Sequence, residues 1–153
     1  MRLTRFTDNA LRCLTFLALD QARAVTVAEV ARRLALSEDH LSKVVGQLAE
    51  KGYVETVRGR NGGVRLARNP ETIVIGAVVR DTEESFALVE CFSPDDNHCP
   101  IAPACVLATT LQKAPSAFRA ELDAAQSADH GVHHRQLPAR PGARRAARVL
   151  GRL

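Results

Sequence analysis

Three cysteines, Cys91, Cys99 and Cys105, fall within fifteen residues in a C-x7-C-x5-C arrangement. Thiolate sulfur is soft and polarisable, and three such ligands converging from one loop suit a thiophilic metal centre. The residues between them, Phe92-Ser93-Pro94-Asp95-Asp96-Asn97-His98 and Pro100-Ile101-Ala102-Pro103-Ala104, are rich in Pro, Asp and Asn, which is loop chemistry rather than core chemistry. Paired CxxC knuckles, the usual zinc pattern, are missing, and three sulfurs leave a metal site one ligand short. No signal-like apolar stretch follows a basic start, so a cytoplasmic, reducing location is expected. There the cluster reads as metal-binding or thiol redox chemistry before structural disulfides. The fourth cysteine, Cys13, lies beside an apolar helical stripe and reads as a small buried hydrophobe.

The elements that must hold this loop come next. On its N-terminal side a short helix is expected from Ile73 to about Glu84, with Ile73, Ala77 and Val78 inward. On its C-terminal side a longer one runs from Pro103 toward Ala125. Leu107, Leu111, Phe118, Leu122 and Ala125 make one apolar stripe on it, for which a second copy of the helix is the natural cover. Pro115 sits inside this stretch and is expected to kink or split it.

Ahead of the loop lies a different kind of unit. A helix is expected over roughly Asp8–Asp20, capped by Thr7, with Asp8 at the positive end of the helix dipole. Thr26-Val27-Ala28-Glu29 is a capping box opening a short helix with inner face Val27, Val30, Ala31 and Leu34. Ala35-Leu36 makes the turn. Ser37 caps the following helix, whose stripe is Leu41, Val44, Val45 and Leu48 and whose end is marked by Gly52. Two helices joined in this way form a helix-turn-helix. Ser37 at the start of the second helix, with His40, Ser42, Lys43 and Gln47 on its outward side, can reach base edges and phosphates. Tyr53–Val57 and Val64–Ala67 are expected as paired strands. Between them Arg58, Gly59, Arg60, Asn61, Gly62 and Gly63 form a basic, glycine-rich wing suited to phosphates or a minor groove. The fold class is therefore mainly α: a winged helix-turn-helix with a two-stranded wing and a long C-terminal dimerisation helix.

Charge follows the same division. Residues 1–70 carry twelve Lys/Arg against seven Asp/Glu, residues 71–129 three against ten, and residues 130–153 six Arg and no acid. A basic head on an acidic body suits a head that meets polyphosphate. Three segments are expected: a DNA-binding domain (1–70), a cluster-binding loop with dimerisation helix (71–129), and a basic, disordered tail (130–153). His133 and His134 read as part of the solvated tail. No run of eighteen apolar residues suggests a membrane span. No nucleophile–base pair, phosphate loop or paired carboxylate suggests an enzyme.

Several stretches carry a specific resemblance: Met1–Arg12, Leu41-Ser42-Lys43-Val44, Arg58–Ala67, Val89-Glu90-Cys91-Phe92 and Cys99-Pro100-Ile101-Ala102-Pro103-Ala104-Cys105. Together they resemble the winged-helix iron–sulfur transcription regulators, the NsrR-like nitric-oxide-sensing branch in particular, over about residues 1–129. The resemblance implies a homodimer that represses transcription at palindromic operator DNA and answers nitric oxide. Each subunit would carry a [4Fe-4S] cluster on Cys91, Cys99 and Cys105, with Asp8 of the other subunit as fourth ligand. The IscR-like branch uses a [2Fe-2S] cluster and a histidine three residues after the last cysteine, where this chain has Ala108; His98 is a neighbouring substitute. A zinc or thiol redox protein remains the reading from a different class.

Overall fold

Helix α1 (Arg5–Leu19) begins earlier than the Thr7 cap predicts. Thr4 takes the cap position instead: the Thr7 N–H donates to Thr4 Oγ1 at 3.2 Å, and the Asp8 N–H donates to the Thr4 carbonyl at 3.0 Å. Thr7 is fully buried and faces the core. Asp8 stays in the first turn, where the helix dipole favours a carboxylate. These features come from a computed structural model that describes residues 2–19, 21–59, 62–93 and 97–125. The basic segment 130–153, with His133 and His134, lies outside the described residues.

Helices α2 (Val27–Leu34) and α3 (Glu38–Glu50) form the expected helix-turn-helix. Thr26 Oγ1 accepts the Glu29 N–H at 3.1 Å, half of the capping box; the Glu29 carboxylate meanwhile takes a two-pronged contact from Arg23 at 2.8 and 3.2 Å. Ala35 turns the chain in the left-handed region, φ 57°, and the Leu36 N–H closes on the Ala31 carbonyl at 2.8 Å. Beyond α3 the Tyr53 N–H returns to the Leu48 carbonyl at 2.8 Å. With its N–H so engaged, Tyr53 joins the wing only through its carbonyl, which accepts the Ala67 N–H at 3.0 Å; the strands are β1 (Val54–Val57) and β2 (Gly63–Leu66), antiparallel with Val54 opposite Leu66 and Val57 opposite Gly63.

The wing is tied to the helices by a short bridge in which Val25 and Val64 exchange both backbone hydrogen bonds, at 2.9 and 2.8 Å. A side chain on Gly63 would meet the Val25 carbonyl at 2.6 Å, so glycine there allows the bridge to close. One apolar core joins Leu14 and Leu17 of α1, Val30 of α2, Leu41, Val44 and Leu48 of α3, and Val54 and Val64 of the wing.

Helix α4 (Ile75–Thr82) is shorter than the expected Ile73–Glu84. Pro70–Thr72 forms a 3-10 turn that Asn69 caps, which leaves Ile73 buried but extended. At the other end Glu83 is extended, and its carboxylate accepts the Thr4 N–H and hydroxyl, each at 3.1 Å. Helix α5 (Val106–Ala124) starts later than Pro103 because Ala102–Ala104 forms its own 3-10 turn and Cys105 takes the cap position. Pro115 is buried within α5 and does not split it. A proline removes only one donor from a ladder of nineteen residues, and burial of its ring offsets part of that loss. The end of α5 docks on α4 through Arg80 Nη1 to Asp123 Oδ1 at 2.6 Å and the Ile75 N–H to the Ala125 carbonyl at 3.0 Å.

Candidate functional site

The outward face of α3 presents Ser37, Asp39, Ser42, Lys43, Gly46 and Glu50 to solvent. Ser37 Oγ is engaged as a cap, 3.5 Å from the His40 N–H, and the Ser42 hydroxyl donates to the Glu38 carbonyl at 2.9 Å. Lys43 stands exposed beside them. His40 and Gln47 are turned further inward. The His40 ring meets Phe6 of α1 edge-on at 6.0 Å, and its Nε2 is buried without a hydrogen-bond partner among the described residues. The Gln47 amide donates to the Asp81 carbonyl of α4 at 2.6 Å.

Wing residue Arg58 is exposed after β1, whereas Arg60 and Asn61 at the tip lie outside the described residues. Gly62 closes the turn through its N–H to the Gly59 carbonyl at 2.9 Å, and Gly63 is the residue against Val25. These two glycines thus have an internal role in shaping the wing. Arg65 is held by Glu55 at 2.6 Å, and Arg68 lies over the Tyr53 ring at 5.0 Å, so neither cation is wholly free for phosphate.

The loop between α4 and α5 carries all three sequence-predicted cysteine ligands as free thiols, each half-buried. Cys91 sits in the 3-10 turn Glu90–Phe92 and borders an open cavity of about 1230 Å³ between the loop and α5, with Phe86, Phe92, Gln112, Lys113 and Ser116 around it. The Cys99 N–H donates to Asn97 Oδ1 at 3.2 Å. The preceding His98 N–H donates to Glu90 Oε1 at 2.8 Å, which clips the loop across its base. Cys105 opens α5. Cys13, by contrast, is fully buried in the core, where burial pushes its thiol up to about 12. The expectation of a small buried hydrophobe holds for it.

Free thiols of this number on one loop are the right donor type for a soft iron centre. Their placement in the single chain does not enclose one: among the described residues no group of three or more His, Cys, Asp or Glu side chains is poised around a metal. Asp8 is not brought to the cysteines within this chain either. Its carboxylate is 61% exposed and faces Arg12 at 3.8 Å.

Sequence reasoning missed two positions on these surfaces. Gly46 leaves bare backbone in the middle of the α3 outer face, a signal visible as a glycine inside a helical pattern. Asp81 receives α3 and the wing root on α4, and nothing in its local sequence announces that, because its partners lie 28 and 34 residues away.

A family profile described as Rrf2, iron-dependent transcriptional regulator, matches residues 3–129. The HTH-type transcriptional regulator NsrR of Geobacillus kaustophilus is 51% identical over 130 residues, covering 84% of this chain and 88% of that protein. The protein of the same description from Bacillus subtilis is 46% identical over 124 residues, 80% of this chain and 85% of the relative. Among solved structures, T. potens IscR superposes with a TM-score of 0.67 at 26% identity, covering 84% of this chain and 85% of that one. CymR, the global cysteine regulator of B. subtilis, shares the fold at a TM-score of 0.66 and 21% identity, over 84% and 95% of the two chains.

Proposed function

This chain belongs to the Rrf2 family of transcriptional regulators, and on that premise we propose that it is a dimeric repressor, holding palindromic operator DNA while an iron–sulfur centre is intact and releasing it on meeting nitric oxide. It is a regulator and not an enzyme, and no described helix is long and apolar enough to cross a membrane. The reading divides it into a DNA-binding head (1–70), a cluster loop with dimerisation helix (71–129) and a basic tail (130–153).

In this reading Cys91, Cys99 and Cys105 would hold a [4Fe-4S] cluster, with Asp8 of a second copy as the fourth ligand. When bound, the cluster would supply iron for nitric oxide to attack, and the Asp8 oxygen would hold that iron more weakly than thiolate does. The observation that carries the reading is the set of three uncommitted, half-buried thiols on the segment joining α4 to α5. Direct DNA contacts are assigned to Ser37, Ser42 and Lys43 on α3 and to Arg58, Arg60 and Asn61 on the wing, because the first three and Arg58 are exposed to solvent. His40 and Gln47 support α3 from behind, and Gly62 and Gly63 shape the wing. A hundredfold response to the signal asks for about 2.7 kcal/mol of coupling between loop and head.

One observation favours a second reading. The thiols are free and do not converge in the single chain, which also suits thiol redox chemistry without iron. Isolation without oxygen separates the two. Brown protein containing iron and acid-labile sulfide, whose DNA complex dissociates on adding nitric oxide, supports the repressor. Colourless protein with stoichiometric zinc, or a DNA complex indifferent to the gas and to Cys→Ser replacement at positions 91, 99 and 105, overturns it.

A further inference from the structure

Asp81 stands in the last turn of α4 and touches the head at three points. Its backbone carbonyl accepts Gln47 Nε2–H of α3 at 2.6 Å, and its Oδ2 accepts the Tyr53 hydroxyl at the root of the wing, also at 2.6 Å. Its Oδ1 lies 3.5 Å from Lys51 Nζ, just past the end of α3. The Tyr53 bond has the length of a charge-assisted O–H···O⁻ contact. Tyr53 is only 4% exposed and is covered by the Arg68 guanidinium, whereas the Asp81 carboxylate is 33% exposed, so this bond is shielded from water in part. The Lys51 contact is half-exposed and contributes little.

What makes Asp81 more than a local brace is its neighbourhood in the chain. Two residues on, Glu83 holds Thr4 at the entrance to α1, and the cysteine loop follows immediately. Within Asp81–Glu83, therefore, the root of the loop meets the middle of α3, the base of the wing and the segment leading to Asp8. We infer that Asp81 is a positioning residue for DNA binding: through Gln47 and Tyr53 it sets the attitude of α3 and the wing against α4, close to the start of the cysteine loop. The alternative is that apolar packing of Val44 and Leu48 in the core fixes α3 without it. The inference rests on α3 and the wing being the DNA surfaces, as proposed above.

The test uses the full chain isolated without oxygen. The probes are a duplex enriched by the wild-type protein from a random-sequence pool and a scrambled duplex of equal length. Asp81→Ala and Tyr53→Phe are each expected to lose about tenfold in affinity for the enriched duplex, the equivalent of ~1.4 kcal/mol, and to bind the scrambled duplex as before. The double variant should be no weaker than the weaker single one, because both remove one bond. Asp81→Asn keeps an acceptor for the Tyr53 hydroxyl and should stay within about threefold of wild type. Wild-type discrimination in Asp81→Ala, an equal loss on both duplexes, or an Asn variant as weak as the Ala variant overturns the inference. Lys43→Ala serves as control. If it weakens binding while Asp81→Ala does not, only the role of Asp81 falls; if neither matters, the assignment of α3 as the DNA face falls with it.

Discussion

Cys13 and the loop cysteines bear the same functional group in two unlike environments. Thiol reactivity belongs to the thiolate, and burial holds Cys13 protonated with its pKa pushed up to about 12. Cys91, Cys99 and Cys105 are half-buried and free. In metal-free native protein near neutral pH, an alkylating reagent is therefore expected to label three thiols per chain, and the fourth only after denaturation. Intact-mass measurement reads this directly, and fast labelling of Cys13 in folded protein would contradict the buried assignment. Tyr53 offers a second single-residue readout, because the chain has one tyrosine and no tryptophan. Burial first, and then the hydrogen bond to Asp81, push its phenol up to about 12 from an ordinary 10.0. A pKa raised by folding means the folded state prefers the protonated phenol. The stability so gained is complete below pH 10 and is lost as pH rises from there through about 12. The phenolate band in the ultraviolet should appear only near the upper end of that window. Asp81→Ala should move it down, though not to the ordinary value, since burial is the larger cause.

Among the elements, α3 contains a weakness that its surroundings do not require. A side chain added at Gly46 would meet nothing within 4 Å, so Gly46→Ala should stabilise the helix by about 1 kcal/mol. The same methyl would stand on the face shared by Ser42 and Lys43. Thermal melts are expected to improve while affinity for the enriched duplex falls; improved melting with unchanged DNA binding would place the DNA elsewhere. The ends of α2 and α3 were legible because Thr26 and Ser37 are local signals: a hydroxyl and an N–H three residues apart suffice. The same logic misplaced the start of α1. Two threonines, Thr4 and Thr7, compete for one cap, and burial of Thr7, a tertiary fact, decides between them. A proline inside a helical pattern predicts a kink or a break, whereas α5 runs on through a buried Pro115. The outward set on α3 was legible for Ser42 and Lys43. It was less so for His40 and Gln47, whose partners Phe6 and Asp81 come from other helices. Helical periodicity gives a face but not what lies behind it.

For the molecule as a whole, the open apolar surface is concentrated where the loop meets α5. Ile101, Val106 and Leu107 are 64%, 85% and 61% exposed, and Pro115 is the one buried residue of α5. Exposed large apolar residues on the loop and the first turn of α5 are where the proposed dimer is expected to form. Leu107→Asp should leave the helical content and melting of the isolated chain intact while shifting sedimentation from dimer to monomer; a persisting dimer would show that another surface joins the copies. The manner in which α5 is fastened matters here. Its described polar ties to α4 lie at its far end, at Asp123 and Ala125, while Cys105 is at the other end. A rod held in this way is a lever. At 1.5 Å per residue its arm from Asp123 to Cys105 is about 27 Å, and a tilt of about 5° at the fulcrum carries the cysteine end through roughly 2 Å. That displacement is comparable to the length of a metal–sulfur bond, so in the proposed regulator a small change at the cysteine tip is expected to match a small rotation at the far end.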